Sequence, residues 1–138
     1  MDIVQYPDER LKAVAEKVVD FTNIPELALT LRQAQKEHNG VGIAANQIGD
    51  PRAVCIVRDI TMVNPIIIGR SEILVRAEEG CLSVGASGER HERLAYDKVK
   101  VAYQNVIGKR TVREFTGWDA RIVQHELRHL NGLTIVDA

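Results

Sequence analysis

Apolar residues recur at helical spacing in two parts of the chain and at strand spacing between them. From Asn23 to Gly40, NIPELALTLRQAQKEHNG sets Ile24, Leu27, Ala28, Leu31 and Ala34 on one stripe, which predicts an amphipathic helix. Asn23 stands where an N-cap is expected, Pro25 suits the first turn, and Asn39-Gly40 supplies the stop. The run that follows, VGIAANQIGDPR, is rich in small residues and turn formers. AVCIVRDI and TMVNPIIIG are short β-branched runs bounded by Asp, Pro and Gly, and read as strands; SEILVRAEE is a further strand pattern. DKVKVAYQN alternates with Val99, Val101 and Tyr103 on one face, and RTVREF pairs with it across VIGK. TGWDARIVQHELRH then predicts a second helix. Thr116 and Asp119 are spaced as in a capping box, and Trp118, Ile122, His125 and His129 share one side.

Helix, several strands, helix is an α+β order, with antiparallel β-sheets packed around the last helix. The length suits one domain spanning residues 1–138, with no repeat, low-complexity tract or linker. Hydrophobic residues make up 45% and charged residues 27%, so the chain carries enough apolar material for a core. The formal net charge of -1, with both signs interspersed, argues against a nucleic-acid or acidic-membrane partner. The opening MDIVQYPDERLKAVAEKV has early acids and no apolar run, and no stretch approaches the roughly 18 apolar residues of a membrane span. A cytoplasmic location is therefore expected, and with it free thiols at Cys55 and Cys81 rather than a disulfide.

The second helix carries the candidate chemistry. His125 and His129 are one turn apart on one face, with Glu126 about 100° round from the first, the H-E-x-x-H arrangement of a metal-dependent hydrolase. A catalytic metal takes three protein ligands and an open position. Downstream, Gly132 fits the longer H-E-x-x-H-x-x-G-x-x-H pattern, but Ile135 stands where its last histidine belongs, and no His, Cys or Glu follows His129. The third ligand must come from upstream, from Cys55, Cys81, His38, His91 or an acid. Cys55 lies in the β-run AVCIV and reads as core. His38 sits in the last turn of the first helix, where a cation favours the dipole. His91 lies in charged GERHERL and reads as solvated. Cys81, in EEGCLSV, stands outside any regular run beside a glycine, and its thiolate could reach a metal.

GVGIAANQ (Gly40 to Gln47), EGCLS (Glu79 to Ser83) and QHELRH (Gln124 to His129) resemble, in order, the three motifs of the peptide deformylases. IVQYPDERLKAVAEKV and GWDARIVQHE resemble that family too, so the similarity covers nearly the whole chain. The resemblance implies antiparallel strands around a central helix bearing both histidines, and hydrolysis of the N-formyl group from formylmethionine of nascent polypeptides. It implies Cys81, His125 and His129 as metal ligands with water fourth, and Glu126 as general base and acid. Gln47 and the Leu82 N–H are implied as oxyanion donors. The metal would be ferrous iron in the cell, with zinc, nickel or cobalt able to replace it.

That chemistry is also sound on the residues themselves. A Cys-His-His set leaves a fourth position open, a bound divalent ion acidifies water, and Glu126 can shuttle the proton. The small residues of GVGIAA suit a peptide bound by strand addition at Val41, Gly42 and Gly80, with Val41, Ile122 and Trp118 lining a methionine pocket. Two features depart from the family. Arg128 stands where it usually has Asp, projecting roughly 60° from His125 on the side opposite Glu126. The C-terminal extension linked to ribosome docking in bacterial forms is missing, so docking is not expected. Two other readings, an H-E-x-x-H metallopeptidase and an inactive metal-binding relative, are opposed by EGCLS and by the intact set of Gln47, Cys81, His125, Glu126 and His129.

Overall fold

The computed structural model of the chain describes residues 1–84 and 90–137. Helix α1 spans Ile24–Glu37 and buries the predicted stripe together with Gln35. Asn23 takes the N-cap position, but its side chain makes no capping bond. The helix ends as expected: Asn39 adopts a left-handed φ of 55° and the Gly40 N–H reaches back to the Gln35 carbonyl at 2.8 Å.

Strand β1 (Gly42–Ala44) follows, within the run of small residues, and a 3-10 turn at Ala45–Ile48 presents Asn46 and Gln47. Strands β2 (Val54–Val57) and β3 (Ile60–Arg70) form a hairpin whose turn falls at Arg58 and Asp59, inside the run AVCIVRDI that reads as a single strand. Arg58 takes φ 55° there, a turn conformation that the sequence does not announce with glycine. Strands β6 (Lys98–Gln104) and β7 (Arg110–Thr116) complete a five-stranded sheet of order β1-β2-β3-β6-β7, antiparallel throughout. Strands β4 (Leu74–Gly80) and β5 (Arg90–Tyr96) pair as a separate ribbon. β5 is the element missing from the sequence reading. A ribbon with mostly exposed faces needs no apolar alternation, so RHERLAY carries no strand signature.

Helix α2 (Gly117–Leu130) packs on β1, β2, β5, β6 and β7. Its Ala120, Ile122, Val123, Leu127 and Leu130 join Val99, Val101, Tyr103 and Phe115 in one core cluster, while α1 closes a second cluster with Ile43, Val54, Ile56 and Val63. The predicted capping box is absent. Thr116 makes no side-chain cap bond, and Asp119 instead meets Arg58 at 2.5 Å. The helix stops at Gly132, whose φ of 77° suits glycine; an added Cβ would stand 2.4 Å from the Lys12 carbonyl oxygen.

Candidate metal centre

α2 and the end of β4 bring together the side chains singled out in the sequence. Ligand atoms of Cys81, His125 and His129 all lie within 4.8 Å of one another, and this is the group of metal-binding type among the described residues. Cys81 Sγ is 3.2 Å from His129 Nε2, and the two imidazoles stand edge to face with centroids 4.9 Å apart. The other upstream candidates lie elsewhere. Cys55 is fully buried in the core, where burial lifts its thiol far above the ordinary range. His38 Nε2 sits 2.9 Å from the Met1 carbonyl, and His91 lies on β5 opposite Glu79 in the strand register.

Each member of the group is held by something specific. His125 Nδ1 bonds Glu79 Oε1 at 3.1 Å, which leaves its Nε2 for the centre; Glu79 Oε2 is held in turn by Arg121 Nη1 at 2.5 Å. Burial would raise the Glu79 pKa, but His125 and Arg121 outweigh it and hold the carboxylate charged. Burial also opposes charge on His125, yet Cys81, Glu79 and the Glu126 charge together lift it to about 10. Burial and the neighbouring cations His125 and Arg128 hold His129 neutral, with a lone pair to give. The Cys81 sulfur accepts the Ser83 N–H at 3.4 Å and Gln47 Nε2 at 3.7 Å, which fixes its position beside the histidines.

This donor set fits a divalent ion. One imidazole is neutral, the thiol has N–H donors, and the proton stabilised on His125 occupies the charge position that a cation would take over on binding. His129 Nδ1 is buried without a partner among the described residues, as is Glu126 Oε1. Asn46 Nδ2 bonds the His129 carbonyl at 2.7 Å and fixes the 3-10 turn against α2.

Glu126 is buried beside the group, and burial, with the Glu79 charge adding to it and His125 opposing, raises its pKa to about 7. Its carboxylate packs on Gly42: a Cβ there would stand 2.5 Å from Glu126 Oε2 and 3.0 Å from the Ile56 carbonyl oxygen. Gln47 Oε1 accepts the Ala44 N–H at 2.9 Å, which fixes the amide so that Nε2 faces Ser83 Oγ at 3.1 Å. The Leu82 N–H has no acceptor among the described residues, while the Leu82 carbonyl takes Gln5 Nε2 at 2.8 Å. Val41, Gly42, Gly80, Leu82, Trp118 and Ile122 line one cavity of about 770 Å³ with Cys81, His125 and Glu126. Ile122 is buried and Trp118 half exposed. The Val41 carbonyl already accepts the Arg58 N–H at 2.8 Å, which uses one of its two lone pairs within the fold.

Glu79 and Arg121 are the functional neighbours that the sequence reading missed. Alternation along β4 carries a signal for the first, because Glu79 and Cys81 are two residues apart and fall on one side of the chain. Arg128 is not at the centre. Its Nη2 donates to the carbonyls of Thr134 at 3.2 Å and Asp137 at 3.1 Å, so the acid beside His125 comes from β4.

Known proteins share this arrangement of chain and fold. The polypeptide deformylase family matches residues 1–138. The peptide deformylase of Desulforudis audaxviator is 38% identical over 142 residues, covering 98% of this chain and 90% of that protein. The Met-Ala-Ser-bound crystal structure of the class I type b peptide deformylase from Acinetobacter baumannii superposes with a TM-score of 0.93 at 34% identity, covering 100% of this chain and 98% of that one. The structure from Vibrio parahaemolyticus bacteriophage VP16T in complex with actinonin gives a TM-score of 0.93 at 29% identity, covering 98% of this chain and 100% of that one. With the family matched over the whole length and the fold shared end to end, the chain belongs to the polypeptide deformylase family.

Proposed function

We propose that the chain is an active peptide deformylase, a metal-dependent hydrolase that removes the N-formyl group from N-formylmethionine of nascent polypeptides and releases formate. The observation that carries this reading is the convergence of Cys81, His125 and His129 beside a buried Glu126, in a chain of that family. The three residues would hold one divalent ion, with ferrous iron as the working metal and zinc, nickel or cobalt as replacements, since thiolate and imidazole suit each. An ion held there supplies Lewis acidity, which makes water a nucleophile near neutral pH.

The side chains carry the remaining steps. Glu126, raised to about 7, takes the proton of the attacking water and returns it to the departing amine. Gln47 Nε2 and the Leu82 N–H donate to the oxyanion of the tetrahedral intermediate, and both are fixed before substrate arrives. Glu79 orients His125, and Arg121 orients Glu79. The methionine side chain lies against Val41 and Ile122, with Trp118 at the open end. β1 is a terminal strand of its sheet, so its outer edge at Gly42 is available for an added peptide strand that runs past Gly80. The Acinetobacter relative with Met-Ala-Ser bound supports a peptide beginning with methionine. The proposed setting is the cytoplasm. No helix among the described residues is long and apolar enough to cross a membrane.

Formate release from a formyl-Met peptide, with the protein kept anaerobic, tests the reading. Release is expected, and it is expected to vanish in Glu126→Ala while metal stays bound. Cleavage of an internal peptide bond without formate would favour the peptidase reading. Metal retained by Cys81→Ala and lost by His91→Ala would overturn the ligand set.

A further inference from the structure

A second cavity, of about 970 Å³, lies behind the metal centre. Glu79 and His125 line both cavities and are the described residues that do so, so this pair forms the wall between them. The second cavity opens between β3, the β4–β5 ribbon and α2. Its mouth carries Ile66, Ile67 and Leu94, which are 59%, 40% and 49% exposed. Its charged lining is Lys17, Arg93, Arg110 and Arg128 against the single acid Glu79, which Arg121 and His125 already hold.

The guanidinium groups of Arg93 and Arg128 converge there. Arg93 Nη1 and Arg128 Nη2 both donate to the Asp137 carbonyl, and Arg128 also to the Thr134 carbonyl. Among the described residues neither has a carboxylate within ion-pair distance, and Nε of each, with Arg93 Nη2 and Arg128 Nη1, has no acceptor. The remaining N–H donors of two guanidinium groups, set beside an apolar wall, would be met by a planar anion accepting from both.

We propose that this cavity binds an organic carboxylate with a short apolar body, its head on Arg93 and Arg128 and its body along Ile66, Ile67 and Leu94. A neutral apolar molecule would cover the guanidinium groups without satisfying them, and an organic cation would meet like charge. A bare inorganic anion would leave the apolar mouth in water. The volume lies in the range of small-molecule sites, and an apolar lining with a few convergent polar groups is what such sites share. The inference stands apart from the deformylase reading, because it uses neither the metal nor Glu126.

Octanoate is the probe, with 1-octanol and octylammonium as charge controls, titrated into the metal-loaded full chain by calorimetry and followed by nuclear Overhauser contacts. Octanoate is expected to bind with contacts to the Ile66, Ile67 and Leu94 methyls, and both controls to bind at least about tenfold more weakly. Arg93→Gln and Arg128→Gln are each expected to weaken octanoate about tenfold, the effect of one lost charge-assisted contact. Ile66→Glu, at an exposed site that keeps the fold, is expected to abolish binding and leave formate release unchanged. Undiminished binding in the Arg93→Gln/Arg128→Gln double variant, equal binding of octanol, or contacts to Trp118 and Ile122 instead of Leu94 would overturn the proposal.

Discussion

In front of the Glu79–His125 wall, Glu79 meets the side chains of two cations, His125 and Arg121; behind it, Arg93 and Arg128 meet main-chain carbonyls. Glu79 bridges His125 at 3.1 Å and Arg121 at 2.5 Å, and the Gln47 amide and the Ser83 N–H attend the Cys81 sulfur. Arg93 and Arg128, by contrast, share the Asp137 carbonyl. A carboxylate partner sets both the orientation and the protonation of the group it holds, whereas a carbonyl sets position alone. The front should therefore respond steeply to substitution, and the back weakly except where a ligand reads it.

The sharpest break is expected at Glu126. Glu126→Gln keeps the shape and removes the proton acceptor, so kcat should fall about 10²–10⁴-fold with metal content unchanged. Activity within tenfold of the parent, measured as formate release, would remove Glu126 from proton transfer. Glu79→Ala comes next. It frees the His125 ring and leaves Arg121 buried without its carboxylate, so metal affinity should fall about 10–100-fold. Stability should fall by about 3–5 kcal/mol, as when one partner of a buried pair is removed. Chelator competition and denaturant titration measure the two separately. Unchanged metal affinity would reduce the wall to packing.

Gly42→Ala probes the same front from the sheet side. The added Cβ would stand 2.5 Å from Glu126 Oε2 and 3.0 Å from the Ile56 carbonyl, so the carboxylate must shift while the main chain resists. A displacement approaching 1 Å at a reacting group costs on the order of 10²-fold, and the loss should fall on kcat rather than KM. A loss confined to KM would mean that Gly42 matters for peptide contact alone.

What could be read in the sequence follows the same division. Both helices were legible because each buries one stripe, and the pairing of His125 with His129 because helical spacing puts them one turn apart. Cys81 was legible by motif. β5 was not, since its ribbon exposes charged residues on one face and half-buries His91 and Arg93 on the other, so no apolar alternation marks it, and neither was the turn at Arg58 and Asp59, which has no glycine to mark it. The role of Gly42 was half legible. A close approach was expected there, but of a peptide, whereas the atom that comes closest is the Glu126 carboxylate. Glu79 escaped notice for a similar reason: its partners lie 42 and 46 residues away, and no local pattern encodes such a pair.

Arg128 is where front and back are most easily confused, because its neighbour in sequence is His129 of the proposed centre. Its guanidinium turns away from the centre and straps the segment from Thr134 to Asp137 onto α2 through two carbonyl contacts. Arg128→Ala removes those contacts and also relieves repulsion with Arg93, so the net loss of stability should be only about 1 kcal/mol. Metal affinity and kcat should stay within about threefold of the parent, since no bond to His125, His129 or Glu79 is lost. Denaturant midpoints read the first effect, and chelator competition with formate release the second. A drop in metal affinity as large as that of Glu79→Ala would mean that the Arg128 charge, which helps hold His129 neutral, governs the centre as strongly as a bonded carboxylate does, and the separation of front from back would fail at this residue.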